Sequence, residues 1–368
     1  MTALPRTSAA IERGMSAGLH IGAQLYVSTD GKAVTDLAFG EARPGVPMTP
    51  DTLMVWLSAG KPITAVAIAQ LWERGLLGLD DLVVRYIPEF GPHGKDRITI
   101  RQLLTHTAGI RGVANAWTDE PWDTIIARIC AARPEPGWVP GEKAGYHLAS
   151  SWYVLGEIVR RVSGRPLDQF AREEIFQPLG MKDSWLALPP ERYAEYGQRI
   201  GWMRDDESNQ GPDVPNMSDD TMAGAALLKP GRSARGPARE LGYFYEALLA
   251  GGVRNGTRIL SPETVRAMTT PQRLGMFDRT FKHVMDWGLG FIIDSKRYDK
   301  GAAPYGYGAH ASPRAFGHGG SQSSTGFADP EHGLAVALIF NGRCGEERHD
   351  QRLRSVLAAL YEDLHLTT

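Results

Sequence analysis

Trp56-Leu57-Ser58-Ala59-Gly60-Lys61-Pro62-Ile63-Thr64-Ala65 is the stretch that decides how this chain reads. A serine followed three positions later by a lysine, at the mouth of an apolar helical run, puts a hydroxyl and an amine on one helix face. Pro62 suits the first turn of that helix, where a missing N–H costs nothing. A serine hydroxyl attacks poorly until a neighbour removes its proton. An amine can serve only if its ammonium gives up its proton well below the ordinary value of about 10.4. Burial and nearby positive charge both push it that way. The spacing alone is weak, because Ser-x-x-Lys arises by chance about once in a chain this long. It equally fits a helix start with Ser58 capping and Lys61 solvated.

Strand and helix patterns extend outward from this point. Ser8 to Ala17 has helical spacing, and Ala23–Ser28 and Ala33–Gly40 read as strands joined by an Asp30-Gly31 hairpin turn. Ile63 to Arg74 continues the helix after Ser58. From about residue 80 to 230 strand alternation is missing. Arg101–Thr105, Trp122–Ala132, Ser151–Ser163 and Leu167–Phe176 all carry helical spacing, and polar Met203–Asp220 reads as an exposed loop. Arg239–Ala250 is helical, and Pro262–Met268 opens another helix with Ser261 as N-cap. Trp287–Ile293, Thr325–Asp329 and Leu334–Asn341 read as strands, with a turn at Pro330–Gly333 and a closing helix over Asp350–Asp363.

Strands at both ends and helices between them predict an α/β (α+β) architecture. One antiparallel sheet, built from residues 1–80 and 231–368, is flanked by the terminal helices. A helical domain over 81–230 is inserted between them.

The bulk numbers exclude several function classes. With 368 residues, 42% hydrophobic and 22% charged, the chain is an ordinary globular one. A formal net charge of −2 argues against a nucleic-acid partner. No run approaches the ~20 apolar residues of a membrane span. The first 17 residues lack a long apolar core and carry Arg6, Glu12 and Arg13, so a cytoplasmic location is expected. Cys130 and Cys344, far apart and without CxxC spacing, read as free thiols, with a single disulfide as the alternative. There is no HExxH or tight His/Cys cluster to hold a metal, and no GxGxxG turn to hold a dinucleotide. Gly14-Met15-Ser16-Ala17-Gly18 has the letters of a nucleophile elbow, but it ends a helix and no strand precedes it.

Three more segments follow in order: Leu103-Leu104-Thr105-His106-Thr107-Ala108-Gly109; Pro140-Gly141-Glu142-Lys143-Ala144-Gly145-Tyr146-His147; and Gly317-His318-Gly319-Gly320-Ser321. Together with Ser58-x-x-Lys61 they resemble the serine β-lactamase and penicillin-binding-protein superfamily. The nearest likeness is to its class C branch of β-lactamase-related esterases, D-aminopeptidases and transacylases. The resemblance runs from about residue 8 to 362. It implies that Ser58 becomes acylated, and that Lys61 and Tyr146 share the proton work. It further implies that the Ser58 and Ser321 amides form an oxyanion hole, and that His318, Gly319 and Gly320 line the cleft. His106 is then a loop-stabilising residue. No cofactor or metal is implied.

Two departures bear on substrate. The Asn that orients substrate amides in the lactamases is replaced by Leu148, and the usual Lys of the third motif by His318. Both favour esters or neutral amides over carboxylated β-lactams. The expectation is a serine hydrolase acting on a small ester or amide through acyl-Ser58. The alternatives are a transacylase that delivers the acyl group to an amine or alcohol, and a non-catalytic binding protein on the same scaffold. The last would require loss of Ser58, Lys61 or Tyr146, and all three are present.

Overall fold

A computed structural model describes residues 4–113, 118–205, 214–215, 217–298 and 303–367. Its centre is a nine-stranded sheet. The strands are β1 (Gly22–Thr29), β2 (Lys32–Arg43), β3 (Val46–Pro47), β4 (Arg273–Asp278), β5 (His283–Trp287), β6 (Ile292–Ile293), β7 (Phe316–Gly319), β8 (Ser324–Asp329) and β9 (Leu334–Phe340). They lie in the order β3-β2-β1-β9-β8-β7-β6-β5-β4. Each neighbouring pair is antiparallel, and β1 joins β9 in register at Leu25↔Leu338. The first and last strands of this sheet in chain order thus meet in its interior.

Both faces of the central strands are buried, and the period of two sorts the side chains. Leu334, Val336, Leu338 and Phe340 join Ala23, Leu25 and Val27 in a cluster with α1 (Pro5–Ser16) and with α5, the long closing helix Glu346–Asp363. The intervening Ala335, Ala337 and Ile339 belong to a second, larger core. That core also takes in Tyr26, the helix α4 (Ala238–Leu249), α2 (Lys61–Glu73) and α3 (Ser150–Ser163). Helices therefore cover both faces, where the sequence placed only the terminal ones.

Most sequence-read elements stand within two residues of their expected ends; the closing helix starts four residues early, at Glu346. Four points differ. Trp287–Ile293 is not one strand: the chain turns between β5 and β6, with Gly288 N–H donating to Phe291 O at 2.9 Å and Gly290 at φ 83°. The edge strand β4 carried no alternation that marked it. Leu167–Phe176 is a helix interrupted by a wider turn over Arg172–Phe176. Of the loop expected at Met203–Asp220, residues 206–213 and 216 lie outside the described residues, and Asp219 and Asp220 are buried rather than exposed. Cys130 and Cys344 are both buried free thiols. Among the described residues no helix is long and apolar enough to cross a membrane.

The link between sheet and Ser58 is local. The segment before Ser58 pairs Met54 with Gly236 and Val55 with Arg235. Trp56 is fully buried, with N–H donating to Ala234 O at 2.7 Å and Nε1–H to Gly236 O at 2.9 Å. Its carbonyl accepts from Ser324 Oγ at 2.5 Å. That bond ties the entry to the Ser58 turn onto β8. Removing one partner of a buried hydrogen bond costs about 1–3 kcal/mol. Ser324→Ala is therefore expected to lower the urea midpoint by a stability loss in that range; an unchanged midpoint would show the tie to be idle.

Candidate active site

Leu57 takes a left-handed conformation at φ 51°, uncommon for a residue with a branched side chain. It turns the chain into the single helical turn Leu57–Gly60, from which α2 continues. Ser58 is half-buried there, and Lys61 is completely buried. Lys61 Nζ–H donates to Ser58 Oγ at 2.8 Å and to Gly231 O at 2.8 Å. The α2 N-terminus carries no side-chain cap. The reading of Ser58 as a helix cap with Lys61 in solvent does not hold.

Burial drives the Lys61 ammonium well below its ordinary pKa, and the nearby Arg232 guanidinium adds to the effect. The rings of Tyr146 and Trp152, 5.2 and 5.7 Å from Nζ, work in the opposite sense. Such ring contacts are worth about 0.5–2 kcal/mol, against several kcal/mol for taking an ion out of water. Desolvation wins. Gly231 is required for this enclosure: its φ is +76°, and an added Cβ would fall 2.6 Å from Lys61 Cγ.

Tyr146 is brought in from a loop and pinned on both sides. Its N–H donates to Asp278 Oδ1 at 3.1 Å, and its carbonyl accepts from Thr280 Oγ1 at 3.0 Å. Gly145 N–H donates to His106 O at 3.0 Å, and His147 N–H to His106 Nδ1 at 2.9 Å. His106 thus clamps the residues before and after Tyr146 with its carbonyl and its ring, in a left-handed conformation at φ 58°. Asp278 is itself held by Arg273 at 3.0 Å. The Tyr146 hydroxyl is buried and accepts or donates no hydrogen bond at full geometry, although it lies near enough to Ser58 to be drawn down by it. Burial dominates and raises the phenol well above its usual range, so it stays protonated at neutral pH.

The third motif closes on the same point. His318 and Gly319 end β7, and Gly320 passes so close to the Ser58 turn that an added Cβ would lie 2.3 Å from Trp56 O. Gly320, Gln322 and Ser323 spend their N–H groups on Ser324 O, Tyr305 Oη and Gly320 O. The Ser321 amide takes no part in that turn. Ser58 N–H, in the first turn of a helix, has no intrahelical acceptor. His318 is 1% exposed; its Nδ1 bonds Gly319 O at 2.8 Å and burial lowers its pKa to about 3, so the imidazole is neutral.

Ser58, Tyr146, His318, Gly319 and Ser321 all line one cavity of about 460 Å³. Leu148, 53% exposed, lines it too. A hydroxyl, an amine biased to its neutral form, a protonated phenol and unspent amides around one cavity can carry out acyl transfer. Sequence reasoning missed Gly231, Arg232, Asp278, Phe281 and Tyr305. Only Gly231 carried a signal, as a glycine in a turn that demands positive φ; the others reach the site from up to 247 positions beyond Ser58 (305 − 58 = 247).

The beta-lactamase family model matches residues 7–361. The esterase/beta-lactamase LipL of Mycobacterium tuberculosis is 30% identical over 343 residues, covering 87% of this chain and 77% of LipL. Esterase EstB of Burkholderia gladioli is 29% identical over 363 residues, covering 91% and 90%. A family VIII carboxylesterase crystal structure superposes with a TM-score of 0.80 at 27% identity, over 98% of both chains. On the family match over nearly its whole length, this chain belongs to the beta-lactamase family of serine hydrolases and penicillin-binding-protein relatives.

Proposed function

We propose that the chain is an esterase-type serine hydrolase that works through an acyl-Ser58 intermediate. The observation that carries this reading is the 2.8 Å contact between Ser58 Oγ and a Lys61 amine that burial biases toward its neutral form. A neutral amine keeps one lone pair. With one N–H given to Gly231 O, that lone pair can accept the Ser58 proton across the same contact. Ser58 Oγ then attacks the ester carbonyl, and the developing oxyanion takes the Ser58 and Ser321 N–H groups. Tyr146, the protonated partner, suits delivery of a proton to the departing alcohol, and Lys61 returns one to the phenol. Water attacks the acyl-enzyme by the reverse route and frees the acid. His318 and Gly319 line the acyl-bearing cleft, with Gly320 behind them holding the close approach to the Ser58 turn. The division into a sheet unit (1–80 and 231–368) and a helical unit (81–230) with the site between them belongs to this reading, as does a reducing, cytoplasmic setting for the two free thiols.

Transfer of the acyl group to an amine or alcohol is a second outcome of the same intermediate. The aromatic walls Phe281 and Tyr305 beside Ser58 favour it, because a dry acceptor site lets a second substrate outcompete water. The exposed Leu148 and neutral His318 leave a lactam carboxylate without a partner, which favours esters.

Labelling with a fluorophosphonate followed by intact mass measurement is expected to give one adduct, located on Ser58 and absent in Ser58→Ala. A wild-type protein that neither labels nor hydrolyses a p-nitrophenyl ester would contradict the reading. Lys61→Ala and Tyr146→Phe are each expected to lose about 10²–10⁴-fold in kcat/KM while keeping the far-UV circular dichroism of wild type.

The pH profile follows from the direction of the Lys61 shift. The active form is the neutral amine, so kcat/KM rises as pH rises through the Lys61 pKa. Because that pKa is lowered, the rising limb is expected well below the ordinary lysine value of about 10.4. A limb centred at or above that value would contradict the assignment of Lys61 as base.

A further inference from the structure

The cavity at Ser58 also carries a charge pattern that proton transfer does not need. The start of α5 contributes Glu346, Glu347, His349 and Asp350 to its lining, and His283 lines it from β5. No lysine or arginine is among the described residues that line it. Asp350 is offset by Arg354 at 2.7 Å. Glu346 accepts from Tyr305 Oη at 2.8 Å, and Glu347 has only a long contact from Gln351 at 3.5 Å. Acidic residues in a first turn complement the helix dipole, which accounts for Glu346 and Glu347 on α5 but not for their lining a cavity whose described walls hold no lysine or arginine.

Two further observations in the same cavity point to a ligand. His318 donates its Nδ1–H to Gly319 O, so its buried Nε2 is a lone-pair acceptor, and among the described residues nothing donates to it. A buried acceptor left without a donor costs free energy that a ligand N–H would recover. The Phe281 and Tyr305 rings, 5.9 Å apart, also line the cavity and present aromatic surface of the kind that attracts a cation. His349 supplies a further donor beside the Ser58 and Ser321 amides: Arg352 donates to its Nδ1, so its buried Nε2–H is available to a carbonyl or ether oxygen.

We infer that the cavity selects esters or amides that carry an ammonium group near the acyl bond and disfavours those that carry a carboxylate. This rests on the acyl-Ser58 reading and names the substrate class of that site.

Three thioacetates that differ only in the charge of the thiol portion test it: 2-(dimethylammonio)ethyl, its neutral 3-methylbutyl isostere, and 3-(acetylthio)propanoate. Thiol release gives kcat/KM for each, in wild type and in a Glu346→Gln, Glu347→Gln, Asp350→Asn triple variant. The expected wild-type order is cation over neutral by about tenfold and neutral over anion by about tenfold, as weakly screened charge pairs at a few ångströms allow. In the triple variant the cation-to-neutral ratio is expected to fall to within about twofold. In wild type, 1 M salt is expected to compress the same ratio, since the screening length there is about 3 Å; this readout needs no substitution. Equal wild-type rates for the cationic and neutral esters, or a preference that survives both the triple variant and salt, would overturn the inference while leaving the acyl-enzyme reading standing. No turnover of any thioacetate, with no acetyl adduct on Ser58, would overturn the acyl-enzyme reading and this inference with it.

Discussion

An amine enclosed in the protein interior beside a hydroxyl is the constraint on which this site depends. Lys61 is fully buried and bonded to a hydroxyl and a backbone carbonyl, and the Arg232 guanidinium adds to the effect of burial in disfavouring its charge. Desolvation is the largest influence on its protonation and works against the ammonium. Burial thus biases the amine toward its neutral form, and a neutral amine at 2.8 Å from a hydroxyl can act as a base. Had a carboxylate occupied the place of Gly231 O, the same burial would have fixed the cation and left Ser58 inert.

The fold supplies that enclosure through contacts that cross the whole chain. Trp56 is bonded to Ala234, Gly236 and Ser324, so the Ser58 turn is fixed against both the sheet and the segment that covers Lys61. Tyr146 enters on a loop whose backbone is held by His106, Asp278 and Thr280. None of these three needs to touch substrate. They fix where the phenol sits, and the sheet, with β1 and β9 meeting in its interior, fixes where β7 delivers Gly319 and Ser321. The antiparallel sheet, its central strands buried on both faces, is thus the frame, and the strained turn at Leu57 is the point where it presents a nucleophile.

How much was legible in the sequence follows from the range of each interaction. Ser58 and Lys61 could be read because a helix turns a three-residue spacing into proximity, a relation that needs no tertiary information. The α/β order could be read because strand alternation and helical spacing are local periods. Tyr146 and the His318-Gly319-Gly320 segment were reached only through the family resemblance; no local pattern links Tyr146 to Ser58. The electrostatic state of the lysine was not legible, since it depends on Gly231 and Arg232, 170 and 171 positions further on (231 − 61 and 232 − 61). The break between β5 and β6 was missed because Trp287–Ile293 is apolar throughout. Its Gly288 and Gly290 were the available signal, and a run of buried residues outweighed them. Glu346 and Glu347 carry no sequence signal of a site, and only the packing of α5 against the sheet sets them at the cavity.

The most direct measurement of the central claim is the titration of the Lys61 side chain itself, followed by the carbon-13 shift of Cε in lysine-labelled protein and assigned by its loss in Lys61→Arg. A transition well below the ordinary lysine value of about 10.4 is the result this account requires. A transition at or above that value would mean that Lys61 is a buried ammonium at neutral pH, and the proton of Ser58 would have to leave by another route.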